Sequence, residues 1–282
     1  MPYTIISEID EINMIKDNYE NRLSFNQLQK KYHVSAKRAL KIFAKYGLEV
    51  QKNIHTGKYS FNRDFFFQDS AELAYFLGWV SSDGYIQTST NVIGIEVKQS
   101  DKKILEDLCK AMEYTRPILD IERKERGNGF FSKFILENKE IKELLINKYN
   151  IIPQKSSNKF CFNFQNLDKK FWKDYIRGYF DGDGSIKITG KSLTFQIDCT
   201  SIKMLLAIEE AFKRIDNNTH FSITMRQPKS ESEKLNEEIK HKAPLFRLYG
   251  YGENAKRAFN IIYKDAELFL QRKYDRYIQY MK

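Results

Sequence analysis

Two stretches of the chain show the same order of hydrophobic patterns. Alternation of apolar and polar residues predicts half-buried strands, whereas apolar residues three and four positions apart predict helices. In the first stretch, strands are predicted at residues 92–99, 118–124 and 131–136, and helices at 102–112 and 139–149. In the second, strands are predicted at 192–198, 221–226 and 245–251, and helices at 202–215 and 255–280, the last with a break near Asp265.

A motif with a constant offset begins each stretch. Gly78, Asp83 and Ile86 recur 100 positions later as Gly178, Asp183 and Ile186, within similar apolar surroundings. A repeat of this length is a small domain rather than a solenoid unit. The sequence therefore predicts an α+β fold made of tandem αββαββα repeats.

Each motif is expected to lie on a helix. Asp69 or Ser70 can cap the first helix and Asp168 the second, and both helices should end at Gly84 and Gly184 in the left-handed conformation. Small residues recur four positions apart in each helix, at 78 and 82 and at 178 and 182. We expect this strip to let the two helices pack closely.

Such packing would place Asp83 and Asp183 side by side at two helix C-termini. The helix dipoles add negative potential there, so a divalent cation would stabilise the pair. Oxygen ligands favour Mg²⁺ over zinc.

The composition narrows the class of protein. The 282 residues include 47 Lys and Arg against 37 Asp and Glu, a net charge of +10 that favours a polyanionic partner. The three cysteines are far apart, and the four histidines are scattered, which argues against disulfides and zinc. The sequence has no signal-peptide or membrane-spanning pattern, so we expect a cytoplasmic protein with no membrane association.

The paired motifs, their spacing and the order of elements after them resemble the LAGLIDADG homing endonucleases in their single-chain, two-motif form. The resemblance implies a pseudo-twofold pair of antiparallel sheets that form a saddle in the DNA major groove. It further implies that Asp83 and Asp183 bind Mg²⁺ and that metal-activated water hydrolyses two phosphodiesters. The family motif usually has another acid two positions earlier; the second copy has Asp181, but the first has Ser81.

The resemblance also assigns polar side chains that order water at the cleaved phosphates. By position these are Lys155, Lys273 and Gln99, and Cys199 occupies the place that corresponds to Gln99 in the second half.

Specificity for the DNA sequence should come from the polar face of the strands. Alternation assigns Ile93, Ile95, Val97, Leu193, Phe195 and Ile197 to the core. The outward residues expected to contact DNA are Gln87, Ser89, Asn91, Glu96, Lys98, Lys187, Thr189, Thr194, Gln196, Asp198, Arg226, Arg247 and Tyr249. Between the last two strands, residues 228–242 form a charged insertion that we expect to be a mobile loop.

The N-terminal segment predicts three short helices, at residues 8–19, 25–32 and 36–46. The second and third resemble a helix-turn-helix unit with Ser35 as helix cap and with Lys37, Arg38, Lys41 and Lys45 facing DNA. A plain three-helix bundle with a solvated basic face is the alternative. The predicted organisation is a helix-turn-helix domain (1–50), a basic linker (51–67), and two LAGLIDADG repeats (68–165 and 166–282).

The sequence thus favours a site-specific endonuclease that cuts both strands of a long asymmetric DNA target. Because both halves lie on one chain, we expect a monomer. Its setting would be a prokaryotic, phage or organellar compartment that contains the target. An RNA-splicing maturase and a non-catalytic DNA-binding regulator on the same fold remain open.

Overall fold

The computed structural model describes residues 6–20, 23–50, 59–123, 129–153, 159–226 and 244–281. The chain divides into two compact units, residues 1–60 and 61–282. The insertion at residues 228–242 and Lys155 lie outside the described residues.

The first unit is helical, as the sequence predicted. Its helices are α1 (Glu8–Tyr19), α2 (Phe25–Lys31) and α3 (Ala36–Lys45). Ser7, Ser24 and Ser35 cap them, because each side-chain oxygen accepts a hydrogen bond from a backbone N–H in the first turn. The turn between α2 and α3 passes through His33, which has a positive φ of 50°. Met14, Leu28 and Phe43 are in the core of this unit.

The second unit contains the predicted αββαββα order twice. The first half contains α4 (Asp64–Phe67), α5 (Ala71–Ser81), β1 (Gly84–Ile86), β2 (Val92–Lys98), α6 (Lys102–Ala111), β3 (Leu119–Arg123), β4 (Gly129–Glu137) and α7 (Lys139–Asn147). The second contains α8 (Trp172–Asp183), β5 (Gly184–Thr189), β6 (Ser192–Cys199), α9 (Ile202–Ile215), β7 (Ser222–Met225), β8 (Phe246–Tyr251), α10 (Gly252–Tyr263) and α11 (Gln271–Met281). The break predicted near Asp265 separates α10 from α11, and Asp265 has a positive φ of 59°.

Each half forms a four-stranded antiparallel sheet. The first sheet has the order β1-β2-β4-β3, and the second has the equivalent order β5-β6-β8-β7. The predicted inward residues Ile93, Ile95, Leu193, Phe195 and Ile197 are fully buried. The helices cover this inner face and leave the other face of each sheet uncovered by the core. The predicted α+β fold with paired antiparallel sheets is confirmed.

The end of the expected linker is part of the second unit. Phe65 and Phe66 lie on the short helix α4, and their side chains are buried in the core of this unit. The linker prediction was therefore wrong for residues 61–67, because burying two large aromatic side chains is more favourable than leaving them in a solvated segment.

No helix among the described residues has both the length and the apolar character needed to span a bilayer.

Candidate active site at the motif helices

The two motif helices, α5 and α8, pack directly against each other through glycine. A Cβ atom added at Gly178 would lie 2.1 Å from the carbonyl oxygen of Tyr75, and one at Gly78 would lie 2.2 Å from that of Tyr175. Any side chain at either position would collide with the backbone of the partner helix. The predicted small-residue contact between the helices is confirmed.

Close packing continues to the C-terminal ends of the helices. A Cβ atom at Gly182 would lie 2.0 Å from the Ser82 hydroxyl and 3.4 Å from the backbone nitrogen of Asp83. Asp183 is the last residue of α8, and Asp83 follows the end of α5 by two residues, so the two acids lie at neighbouring helix ends; both are exposed. The geometry brings the two predicted acids together.

Glycine is needed at Gly84 and Gly184 for a reason other than the predicted left-handed conformation. Neither has a positive φ, and both begin a strand immediately after the helix. At Gly84 a Cβ atom would lie 2.5 Å from Val80 Cα, and at Gly184 it would lie 2.2 Å from a ring carbon of Phe180. The expected left-handed caps were wrong, because the chain turns into the sheet so tightly that a side chain has no room.

The caps of the motif helices also differ in detail. Ser70 caps α5 by accepting a hydrogen bond of 3.0 Å from Leu73 N. Asp168 caps the short 3₁₀ turn Lys169–Phe171 that leads into α8. Asp69, the other candidate, accepts a hydrogen bond of 2.8 Å from Asp168 N and thereby ties the starts of the two halves together.

Lys273 lies at the C-terminal end of α8 and is buried, with 4% of its surface exposed. Its ammonium donates to the carbonyl oxygens of Phe180 (2.6 Å), Asp181 (2.8 Å), Gly182 (3.3 Å) and Gly184 (2.6 Å). Helix-end carbonyls lack intrahelical partners, and a cation satisfies them well. The predicted water-ordering lysine therefore holds the end of the helix that carries Asp183, and its part in catalysis stays a prediction.

The charges around Lys273 act in opposite directions. Burial lowers the pKa of Lys273 to about 8, whereas the carboxylates of Asp181, Asp83 and Asp183 raise it. Both motif acids are thus close enough to the ammonium to affect its protonation. This agrees with a single electrostatic site formed from the two halves.

Asp181 supports the same helix end from inside the protein. Its fully buried carboxylate accepts hydrogen bonds from Tyr75 OH (2.7 Å), the backbone nitrogen of Leu270 (2.8 Å) and Tyr263 OH. Burial raises the pKa of Asp181, and the charge of Lys273 opposes this change. Ser81 occupies the equivalent position in the first half, so the two helix ends are supported differently.

The remaining predicted water-ordering positions are near the strand ends. Gln99 is exposed in the 3₁₀ turn after β2. In the same turn, Asp101 accepts hydrogen bonds of 3.0 and 3.2 Å from Arg272, the residue before Lys273. Cys199 has instead a structural contact, since Tyr179 OH donates to its sulfur at 3.3 Å.

The residues present fit Mg²⁺ through oxygen ligands alone. Among the described residues no group of three His, Cys, Asp or Glu side chains is close enough to hold a metal by itself. Mg²⁺ commonly takes one or two carboxylates and completes its shell with water and substrate phosphate oxygens. Two exposed carboxylates at adjacent helix ends meet that requirement, and zinc would need a fuller protein ligand set.

The predicted DNA-contacting side chains of the second sheet form a hydrogen-bonded network. Arg247 donates two bonds of 2.8 Å to Asp198, Gln196 donates to the same carboxylate at 3.2 Å, and Lys187 donates to Gln196 at 3.0 Å. Arg226 lies 3.9 Å from Asp198. Gln196 was expected to be exposed but is only 7% exposed, because its neighbours in the network cover it.

The other predicted contacts of the sheets lie on the surface. Gln87 and Ser89 are exposed in the turn after β1, which Lys142 holds by donating to the carbonyl oxygens of Gln87 (2.7 Å) and Thr90 (2.5 Å). The remaining predicted positions divide by exposure: Lys98, Lys187 and Thr189 are exposed, and Asn91, Glu96, Thr194 and Tyr249 are half-buried.

In the first unit, the predicted DNA-facing residues of α3 divide into two groups. Lys37 and Lys41 are exposed, and Arg38 is half-buried. Lys45 is paired with Glu11, with 2.7 Å between the ammonium and the carboxylate. That hydrogen bond lowers the pKa of Glu11.

Residues 70–151 match the family model of the LAGLIDADG-like domain. This stretch of the chain is therefore similar to a LAGLIDADG-like domain. The second half of the chain repeats the order of elements of the matched stretch, from α8 to α10.

Three solved structures are similar in arrangement. Full-length DUF199/WhiA from Thermatoga maritima is 14% identical, with a TM-score of 0.44 over 76% of this chain; this chain spans 62% of that protein. The homing endonuclease I-WcaI bound to its DNA recognition sequence is 15% identical, with a TM-score of 0.47 over 82% of this chain and 96% of that one. A single-residue variant of I-DmoI, in complex with its target DNA in the presence of 2 mM Mg, is 12% identical, with a TM-score of 0.39 over 73% of this chain and all of that one. No curated protein matches the chain in sequence.

Proposed function

We propose that this protein is a homing endonuclease of the LAGLIDADG type, a site-specific DNA endonuclease that makes a staggered double-strand break with Mg²⁺ and acts for a mobile element or intron. The observation that carries the proposal is the position of Asp83 and Asp183, which are exposed at adjacent ends of two helices that pack through glycine. A protein that only needed a stable fold would gain nothing from two carboxylates held together at the negative ends of two helices.

In this proposal Asp83 and Asp183 hold the metal, one from each half. When bound, Mg²⁺ lowers the pKa of attacking water and stabilises the leaving oxygen of the phosphodiester. Because each acid comes from a separate half, each can serve one of the two DNA strands. Lys273 and Asp181 keep the end of α8 in place while DNA binds.

The sheets and α3 would supply the DNA contacts. The first strand of each sheet begins at the residue after a motif acid, so a duplex on the outer faces of the sheets would lie next to the site. Lys37 and Lys41 would add phosphate contacts and lengthen the footprint. Both motif helices are on one chain, so the proposal includes a monomer and a long, asymmetric target in the cytoplasmic or organellar compartment that holds it.

End mapping tests the proposal. The purified protein is incubated with genomic DNA of the source organism and MgCl₂, and new ends are sequenced; parallel samples contain EDTA or the variant Asp183→Asn. We expect paired, staggered ends at one or a few loci, absent from both controls. Discrete occupied DNA or RNA sites without Mg²⁺-dependent ends would replace the proposal with a regulator or an RNA-splicing maturase.

A further inference from the structure

The outer face of the first sheet carries apolar side chains, which alternation along single strands did not predict. The strand register shows which side chains point toward the core. Ile95 and Val97 are in the core, and they pair with Phe134 and Ser132 of β4, which are also buried. The alternate positions therefore point outward. They include an apolar set, here named the apolar face: Tyr85, Leu119, Ile121, Phe131 and Ile135.

The apolar face is accessible to a ligand. Leu119 is 43% exposed, and Ile121, Phe131 and Ile135 are half-buried. None of the three aliphatic side chains packs against the hydrophobic core of the unit. By register these side chains lie on the side of the sheet away from the core.

Tyr85 makes part of this face flat. A Cβ atom at Gly94, its partner on β2, would lie 2.3 Å from a carbon of the Tyr85 ring. The ring therefore lies across the sheet in the space that a side chain at position 94 would take. The ammonium of Lys133 lies 5.3 Å from the ring centroid.

Two of the charged groups on the same face bind each other. Arg123 donates two hydrogen bonds to Glu96, of 2.9 and 2.6 Å. A bidentate pair of this kind occupies most of the hydrogen-bonding capacity of both groups. The outer face of the first sheet therefore offers a duplex the apolar face together with Lys98 and Lys133, which also point outward.

The outer face of the second sheet has different side chains. Its outward residues in the described strands are all polar or aromatic, with no aliphatic side chain: Ser185, Lys187, Thr189, Ser192, Thr194, Gln196, Asp198, Ser222, Thr224, Arg247, Tyr249 and Tyr251. The two halves share a fold but present different chemistry.

We propose that the apolar face recognises thymine C5-methyl groups in the major groove of one half of the DNA target. The inference rests on the proposed DNA-binding function. Thymine alone among the four bases presents a methyl group in that groove, and the other edge groups there are polar. The face is continuous with the candidate site, since β1 begins directly after Asp83, and the net charge of +10 favours a polyanion. The second sheet reads its half by hydrogen bonds.

Uracil-for-thymine substitution tests this recognition, because uracil lacks only the methyl group. The full chain carrying Asp83→Asn and Asp183→Asn is used, so that binding is measured without cleavage. Duplexes of a selected target carry uracil in one half, in the other half, or in neither. We expect about threefold to fivefold weaker binding for each contacted methyl removed from one half, and little change from the other half.

Variants assign the sensitive half to the apolar face. Leu119→Ser with Ile121→Ser should bind thymine and uracil duplexes equally, whereas Thr224→Ala on the corresponding edge strand of the second sheet should keep the discrimination. Tryptophan fluorescence checks that each variant is folded. Three results would overturn the inference. The protein with the unaltered face could bind thymine and uracil duplexes equally, the serine variant could still discriminate between them, or the protein could bind no DNA. Binding with uracil discrimination but no cleavage by the wild-type protein would reject the endonuclease and leave this inference standing.

Discussion

Helix propensity and packing predict opposite effects of Gly178→Ala on the stability of the protein. In a solvent-exposed helix, alanine in place of glycine stabilises by about 1 kcal/mol. At Gly178, however, the new methyl group would lie 2.1 Å from Tyr75 O and 3.2 Å from Gly78 Cα. Both contacts are with backbone atoms of α5, which cannot rotate away.

The loss of stability can be estimated from how far the new methyl group falls short of a normal contact distance. Ordinary contacts of a Cβ atom begin at 3.4 Å, so the helices would have to separate locally by about 1.3 Å. Overpacking a core typically costs roughly 1–3 kcal/mol, and rigid backbone neighbours favour the upper part of that range. We expect Gly178→Ala to lower the free energy of unfolding by about 2–3 kcal/mol.

Gly182→Ala is the matched comparison. Its methyl group would meet Ser82 Oγ at 2.0 Å and Ser82 Cβ at 2.7 Å, both atoms of a side chain. With Ser82→Gly in addition, the nearest remaining neighbour is Asp83 N at 3.4 Å. We expect Gly182→Ala to cost less than Gly178→Ala and the double variant to recover stability, with a coupling energy of roughly 0.5–3 kcal/mol.

Urea unfolding followed by tryptophan fluorescence measures these effects in the intact chain. The only two tryptophans, Trp79 and Trp172, are buried in the unit of residues 61–282, so their signal reports that unit alone. A Gly178→Ala variant as stable as the wild type, or more stable, would refute close contact between the motif helices.

Three further predictions concern charged side chains. Lys273→Met should lower the stability of the second unit by about 2–3 kcal/mol in the same fluorescence assay, because four helix-end carbonyl contacts lose their donor; an unchanged urea midpoint would show that these bonds contribute nothing. Asp181→Asn should cost about 1–3 kcal/mol, since an amide group replaces an acceptor that faces three donors; equal stability at neutral pH would argue against that network. Lys37→Ala and Lys41→Ala should each reduce the slope of log affinity against log salt by about 1, and Lys45→Ala should change it less because Lys45 pairs with Glu11; an effect confined to Lys45 would contradict this orientation of α3.

Local patterns predicted the elements and the pairing of the motifs. The repeat of Gly78 and Asp83 at Gly178 and Asp183 was sufficient to infer two packed helices, because a strip of small residues has few uses other than close contact. Helix and strand boundaries followed from periodicity, as in α9 at Ile202–Ile215.

Two features could not be predicted from local sequence, because they depend on strand register or on residues far away in the chain. In β3, alternation separates Leu119 and Ile121 from Asp120 and Glu122 but does not say which pair faces the core. Pairing with β4 decides it, and the aliphatic pair faces outward. Likewise Lys273 lies 89 to 93 residues after the carbonyl groups that it binds, so no local pattern could show its burial.

Cleavage of a supercoiled plasmid that carries one mapped target tests the central claim, that the two motif acids form one metal-dependent site. Wild-type protein, Asp83→Asn, Asp183→Asn and the double variant are compared with Mg²⁺ and with EDTA, and the nicked strand is identified by sequencing. We expect linear product only from the wild type with Mg²⁺, and no cleavage by the double variant although it still binds the target. Mg²⁺-dependent linear product from the double variant at the wild-type rate would contradict the account.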